Sequence, residues 1–175
     1  DPDLDPPTRG DDKYVKMRPI HFLDIGNLIG NNVVVGGVRR TAEIFLCDPD
    51  DWEVIFAKYG INGIWDSFDE DGQIIQSAED KHKEVVELAT QIIGYTPKYL
   101  SNIEVRNPNT RPLHHRRLSN NSIAFHKKPS REMLNLILTI TRNEGEPGII
   151  NLESALKRRP SAKGVNPCAE ILLDS

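Results

Sequence analysis

Cysteine is scarce in this 175-residue chain: Cys47 and Cys168 are the two present. They are too few for a disulfide framework and too far apart for a zinc-type spacing, so a reducing, cytoplasmic setting is expected. A dominant charge sign is lacking as well. Twenty-two Lys and Arg face 26 Asp and Glu, a formal net charge of −4, too mild to drive membrane adsorption or general polyanion binding. Direct nucleic-acid binding is therefore not expected. Long apolar runs are missing: the longest, 33–38 with its two glycines, falls far short of the roughly 18 residues that suggest a membrane span. Residues 1–12 are acidic and Pro-rich, without the basic start and apolar stretch of a secretory signal. What is present is a globular composition, 38% hydrophobic and 27% charged with 12 Gly and 12 Pro, of a size that suits one domain or a piece of one.

Residues 1–19 read as an extended lead-in, with prolines, mixed charge and no apolar periodicity. From Ile20, the residues Phe22, Leu23, Ile25, Leu28 and Ile29 predict a helix stopping at Gly30. Strands are expected at 32–35 and 41–47, flanking a turn at Gly36-Gly37. Asp48 with Pro49 predicts a helix running to Gly60, and 60–76 reads as an acidic, glycine-containing connection. Ser77 opens a second helix whose Val85, Val86, Leu88, Ala89, Ile92 and Ile93 form one face, ending at Gly94. Residues 107–112 read as a loop, 122–125 and 149–152 as strands, and 130–143 as a helix. This alternation predicts an α/β fold with at least partly parallel strands.

The segment richest in chemistry is Asn166-Pro167-Cys168-Ala169-Glu170. In an extended backbone, Asn166, Cys168 and Glu170 project to one side, with Ala169 on the other. Pro167 favours extension by disfavouring helical geometry at Asn166. A nucleophilic thiol wants a cation or a histidine base, and Glu170 offers neither. Hydrogen-atom transfer through a sulfur radical has no such need, and a carboxylate nearby can take a proton as general base. A packed structural cysteine in a turn is the alternative.

Elsewhere, Gly36, Gly37, Val38, Arg39 and Arg40 combine a flexible turn with planar hydrogen-bond donors, fitted to a nucleobase or phosphate, or else to a solvated turn. Ser119, Asn120, Asn121 and Ser122 place four polar side chains before an apolar strand, a set for a ribose or phosphate, or a simple Asx/Ser turn. The run His114-His115-Arg116-Arg117 suggests a nucleic-acid or phosphate patch on residue types alone, but four residues read more readily as a solvated basic loop. The five histidines show no metal-binding spacing, and Cys47 reads as a packed thiol.

Asn166-Pro167-Cys168-Ala169-Glu170-Ile171 resembles the finger-loop motif N-P-C-G/A-E-I of ribonucleotide reductases, specifically the adenosylcobalamin-dependent class (class II). Segments 33–44, 114–124 and 143–152 resemble that class in the same order, so the likeness extends from about His21 to Leu173. Residues 60–110 match poorly and read as a variable insertion. The resemblance implies that 20–175 is an incomplete part of a ten-stranded α/β barrel, with the finger loop at 164–172. It implies that Cys168 becomes the thiyl radical that takes hydrogen from the ribose 3′ carbon. Glu170 is then the acid/base at the 3′ hydroxyl, and Asn166 holds the ribose hydroxyls and the pair in register. Residues 36–40 resemble the loop that passes effector identity to the substrate base, with Arg39 the expected base contact, and 119–122 would touch substrate.

The implied partners are a ribonucleotide substrate, a deoxynucleotide effector, the rest of the reductase and a thioredoxin-type reductant, with adenosylcobalamin bound by the complete enzyme. Reductases of this class are several times longer than this chain, and the cysteine pair that supplies electrons is not among these residues. The chain alone is therefore expected not to turn over. A non-catalytic nucleotide-binding or assembly module is the second reading. A cysteine hydrolase is the third, with no histidine tied to Cys168 by sequence.

Overall fold

The computed structural model describes residues 17–35, 38–39, 41–61, 63–97, 100 and 114–174. They form two compact units. The first takes its described residues from 59–112 and 130–144, the second from 17–58, 113–129 and 145–174.

In the second unit, helix α1 (Pro19–Asn31) starts with Pro19 at its first position, and the Arg18 N–H is satisfied by Nδ1 of His21 at 3.2 Å. It runs past Gly30 to a cap at Asn32, whose amide Nδ2 donates to the Leu28 carbonyl. Gly30 is therefore not the stop. A Cβ there would meet the Glu43 carboxylate, whose flexible side chain would have to move aside.

Strands β1 (Val34–Val35) and β2 (Val38–Arg39) pair antiparallel. The expected partner at 41–47 instead begins later, as β3 (Ile44–Cys47), and joins a different sheet. Helix α2 (Trp52–Ile55) is one turn long, not the helix expected from Asp48 to Gly60. The Asp51 N–H is held by the Asp48 carbonyl in a turn, which delays the start, and residues 56–61 continue as turns.

A short 3₁₀ helix (His114–Leu118) leads into β6 (Asn120–Phe125), and β7 (Gly148–Asn151) follows. The order β3-β6-β7 is fully parallel, as the alternation of strand and helix implied. Ile123 and Phe125 of the central strand are buried. Leu152 turns away into α5 (Leu152–Arg158), capped by Asn151 Oδ1 accepting the Ser154 N–H. Strands β8 (Ala162–Val165) and β9 (Leu172–Asp174) close an antiparallel hairpin. The Arg159 guanidinium clasps Asp174 at 2.6 Å, and the Ser161 hydroxyl donates to the same carboxylate at 2.8 Å.

The first unit contains the hairpin β4 (Ser67–Phe68) and β5 (Ile74–Gln76), then α3 (Ala78–Ile93) and α4 (Arg131–Glu144). Ser77 accepts the Asp80 N–H and Gly94 takes a left-handed φ of 89°, so α3 has both predicted ends. Its Val85 and Ala89 are fully buried, as are Leu136 and Ile137 of α4.

The architecture is mixed α/β, and among the described residues no sheet closes into a barrel. The lead-in at 1–16 and the loop at 107–112 lie outside the described residues.

Candidate functional site

The hairpin β8–β9 carries residues 166–171 at its tip, and Asn166 organises them. Its N–H donates to the Ile171 carbonyl at 3.1 Å, and its carbonyl accepts the Ala169 N–H at 2.8 Å. Its side-chain Oδ1 accepts the Ile171 N–H at 2.9 Å, while Nδ2 donates to Glu170 Oε1 at 2.6 Å. One residue thus closes the loop with both its backbone and its amide.

The extended presentation expected for 166–170 is not what forms. Residues 167–168 turn, and Ala169 has a φ of 63°, in the left-handed region. That conformation suits glycine, which gives the glycine alternative at the G/A position of the motif a backbone reason. Asn166 and Glu170 still meet, through the turn and not through a shared strand face. Cys168 is exposed, and so is Glu170.

The polar set 119–122 divides. Asn120 is exposed, and its Nδ2 donates to the Pro167 carbonyl at 2.8 Å, so it touches the finger loop. Ser119, Asn121 and Ser122 are buried. The Ser119 hydroxyl donates to Asn121 Oδ1 at 3.1 Å, and Asn121 Nδ2 has no acceptor among the described residues. The Ser122 hydroxyl lies against Gly148, where an added Cβ would come within 2.6 Å. The Ser122 carbonyl accepts the Cys47 thiol at 3.7 Å. Burial, with Asp51 and Asp48 nearby, pushes Cys47 up to about 12, so it stays a packed, protonated thiol.

Of the candidate specificity loop, Val38 and Arg39 are placed as strand β2, while Gly36, Gly37 and Arg40 lie outside the described residues. Arg117 of the basic run is exposed, but His115 and Arg116 are not solvated. His115 Nε2 and Arg116 Nε both meet Asp24 Oδ1, at 2.8 and 2.6 Å, and Arg116 Nη2 reaches Asp24 Oδ2 at 2.8 Å. Arg116 Nη1 also donates to the Ala57 carbonyl. The run is therefore a bracket between α1 and the 3₁₀ helix, a role that no local spacing could signal. In the first unit a cavity of about 450 Å³, lined by Trp65, Lys81 and Arg142 among others, contains none of the predicted site residues. Among the described residues no group of three or more His, Cys, Asp or Glu could hold a metal ion, and no helix is long and apolar enough to cross a membrane.

The site, then, is a mixed α/β scaffold presenting a thiol on a hairpin tip beside an amide-held carboxylate. The chain is 31% identical over 170 residues to the adenosylcobalamin-dependent ribonucleoside-triphosphate reductase of Lacticaseibacillus paracasei. It is 28% identical over 169 residues to that of Lactobacillus helveticus, and 29% over 170 to that of Lactobacillus acidophilus. Each match covers 90% of this chain and 16% of the relative, so the chain spans about one sixth of the length of these curated relatives. No family model matches, and no solved structure matches. The chain is thus similar to a segment of these adenosylcobalamin-dependent ribonucleoside-triphosphate reductases.

Proposed function

We propose that this chain is the part of a ribonucleotide reductase that supplies the radical cysteine and its acid/base partner, within the ten-stranded barrel of that family. The observation that carries the reading is the closed finger loop, in which Asn166 holds Glu170 at 2.6 Å while Cys168 stays exposed on the same turn. As a thiyl radical, the Cys168 sulfur takes a hydrogen atom from the ribose 3′ carbon, forming S–H as C–H breaks homolytically and leaving the unpaired electron on that carbon. Glu170 accepts the proton of the 3′ hydroxyl, and the Asn166 amide keeps the acceptor oxygen in place. Rigidity matters, because displacing a reacting group by about 1 Å can cost about a hundredfold in rate.

The exposed Cys168 thiol is the group this chain would present to adenosylcobalamin. When bound, that cofactor supplies the radical equivalent. The Asn121 amide has a spare buried donor, a cost of about 1–3 kcal/mol that a ligand oxygen relieves. That supports Ser119, Asn121 and Ser122 as a lining for a ribonucleotide. Residues 36–40 are the reading loop for a deoxynucleotide effector, and 60–110 is a variable insertion in the catalytic part. A radical needs shielding from water. Since Cys168 and Glu170 are exposed here, the walls come from the rest of the reductase, which also supplies the cysteines served by a thioredoxin-type reductant.

The test is deoxynucleotide formation by the protein carrying this segment, given nucleoside triphosphate, adenosylcobalamin and a dithiol. Cys168→Ser is expected to abolish product, and undiminished product from that variant overturns the reading.

A further inference from the structure

The four hydrogen bonds made by Asn166 fix the shape of the finger loop but all lie within 166–171. They leave open how the loop is aimed. Among the described residues, the hydrogen bond that ties this loop to the parallel sheet is Asn120 Nδ2 to the Pro167 carbonyl, at 2.8 Å. Asn120 is the first residue of the central strand β6, paired in register with Ile44, and its own N–H donates to the Glu43 carbonyl at 2.9 Å. The donor therefore springs from a backbone position already held. The acceptor is the carbonyl of the peptide that joins Pro167 to Cys168, so the bond fixes the plane from which the cysteine side chain departs.

We infer that Asn120 is a positioning residue for Cys168, setting the direction in which the thiol is presented, and not a residue whose main work is to bind substrate. The inference rests on the proposed radical chemistry for its consequence in turnover, but not for its geometry. With one amide hydrogen committed to Pro167, removing the side chain frees the loop to rotate as a unit while its internal bonds persist. Misaiming the sulfur lowers the rate of hydrogen transfer and leaves substrate affinity in place.

In the complete reductase that carries this segment, the experiment compares wild type, Asn120→Ala and the near-isosteric Asn120→Asp, which cannot donate to a carbonyl. Both variants are expected to lose about 10- to 100-fold in kcat with KM within about twofold, and Asn120→Gln, which retains the donor, is expected to recover part of the loss. A risen KM with kcat retained overturns the inference in favour of a substrate contact. A second readout needs no cofactor: amide hydrogen exchange across 166–171 and the alkylation rate of Cys168. Both are expected to rise in Asn120→Ala and Asn120→Asp, and unchanged exchange and alkylation overturn the inference. If wild type makes no deoxynucleotide, the proposed function fails, and exchange and alkylation still decide whether Asn120 holds the loop.

Discussion

Asn166 and Glu170 are joined amide to carboxylate at 2.6 Å across a turn, while the oxygen of the same amide accepts the Ile171 N–H at 2.9 Å. The amide acts as a two-ended clamp: one end needs a donor and the other an acceptor, a combination that Asn supplies and Asp does not. Replacing Asn166 with Asp keeps the bond to Ile171 but sets a second carboxylate against Glu170. Asn166→Asp is expected to lower deoxynucleotide formation by about a hundredfold or more, with faster exchange of the Ala169 amide that the loop holds. Full activity in this variant would remove the clamp from the mechanism.

Ala169 stands at a φ of 63°, where an L-residue with a Cβ costs about 1–2 kcal/mol and glycine does not. Ala169→Gly removes that cost but adds freedom to the unfolded chain, so the two effects offset to within about 1 kcal/mol. Ala169→Val has no such compensation, because β-branching crowds the left-handed turn. Product formation is expected to survive Ala169→Gly and to fall in Ala169→Val, with exchange in 166–171 raised in the valine variant alone.

These two residues also show how far the site could be read from the sequence. The extended reading put Asn166 and Glu170 on one face toward a substrate, and the residue types of the finger loop were legible because a short motif carries them. The route by which they meet was not. The period-2 rule assumes an extended chain, and the left-handed Ala169 breaks that assumption. Helix α3 was legible because Ser77 and Gly94 mark its ends locally. The hairpin β4–β5 was missed because its strands are two and three residues long, too short to show a period. The inward turn of His115 and Arg116 depends on Asp24, more than ninety positions away, and the anchoring of Pro167 depends on Asn120; neither partner is visible in a local window.

The ends of α3 allow a clean stability test. Ser77 accepts the Asp80 N–H at 3.1 Å, and Gly94 adopts the left-handed cap with its N–H on the Thr90 carbonyl at 2.9 Å. Ser77→Ala and Gly94→Ala are each expected to destabilise by about 1 kcal/mol. The sites share no partner, so the double variant is expected to lose the sum. Urea titration with an unchanged slope reads all three values.

His82 predicts a pH dependence near neutrality. Burial holds its pKa below the ordinary 6.5, partly opposed by a hydrogen bond to the Leu100 backbone. The neutral ring accepts from the Tyr59 hydroxyl at 3.1 Å, and burial, with Glu144 and Glu84 nearby, keeps that phenol protonated. A base with a depressed folded pKa binds fewer protons folded than unfolded. Its contribution is therefore full above about 6.5 and is lost as the pH falls through the lower folded value. Unfolding free energy measured from pH 8 to pH 5 should decline, and His82→Gln should flatten that slope.

A second acid step belongs to Asp24. Burial raises its pKa, but hydrogen bonds from Arg116 and His115, with their charges, outweigh burial and leave the carboxyl below its ordinary 3.8. The folded state therefore holds the carboxylate more tightly than the unfolded chain does. Stability from this bracket is fully present above about 3.8 and is lost as the pH falls through the folded pKa. Arg116→Leu removes the larger stabilising partner and leaves Asp24 half-buried with His115 alone, so the carboxyl is expected to titrate at higher pH. NMR titration of the Asp24 side-chain carboxyl checks the direction: an upward move in Arg116→Leu is the expected result, and an unmoved midpoint would show that the guanidinium does not hold the charge.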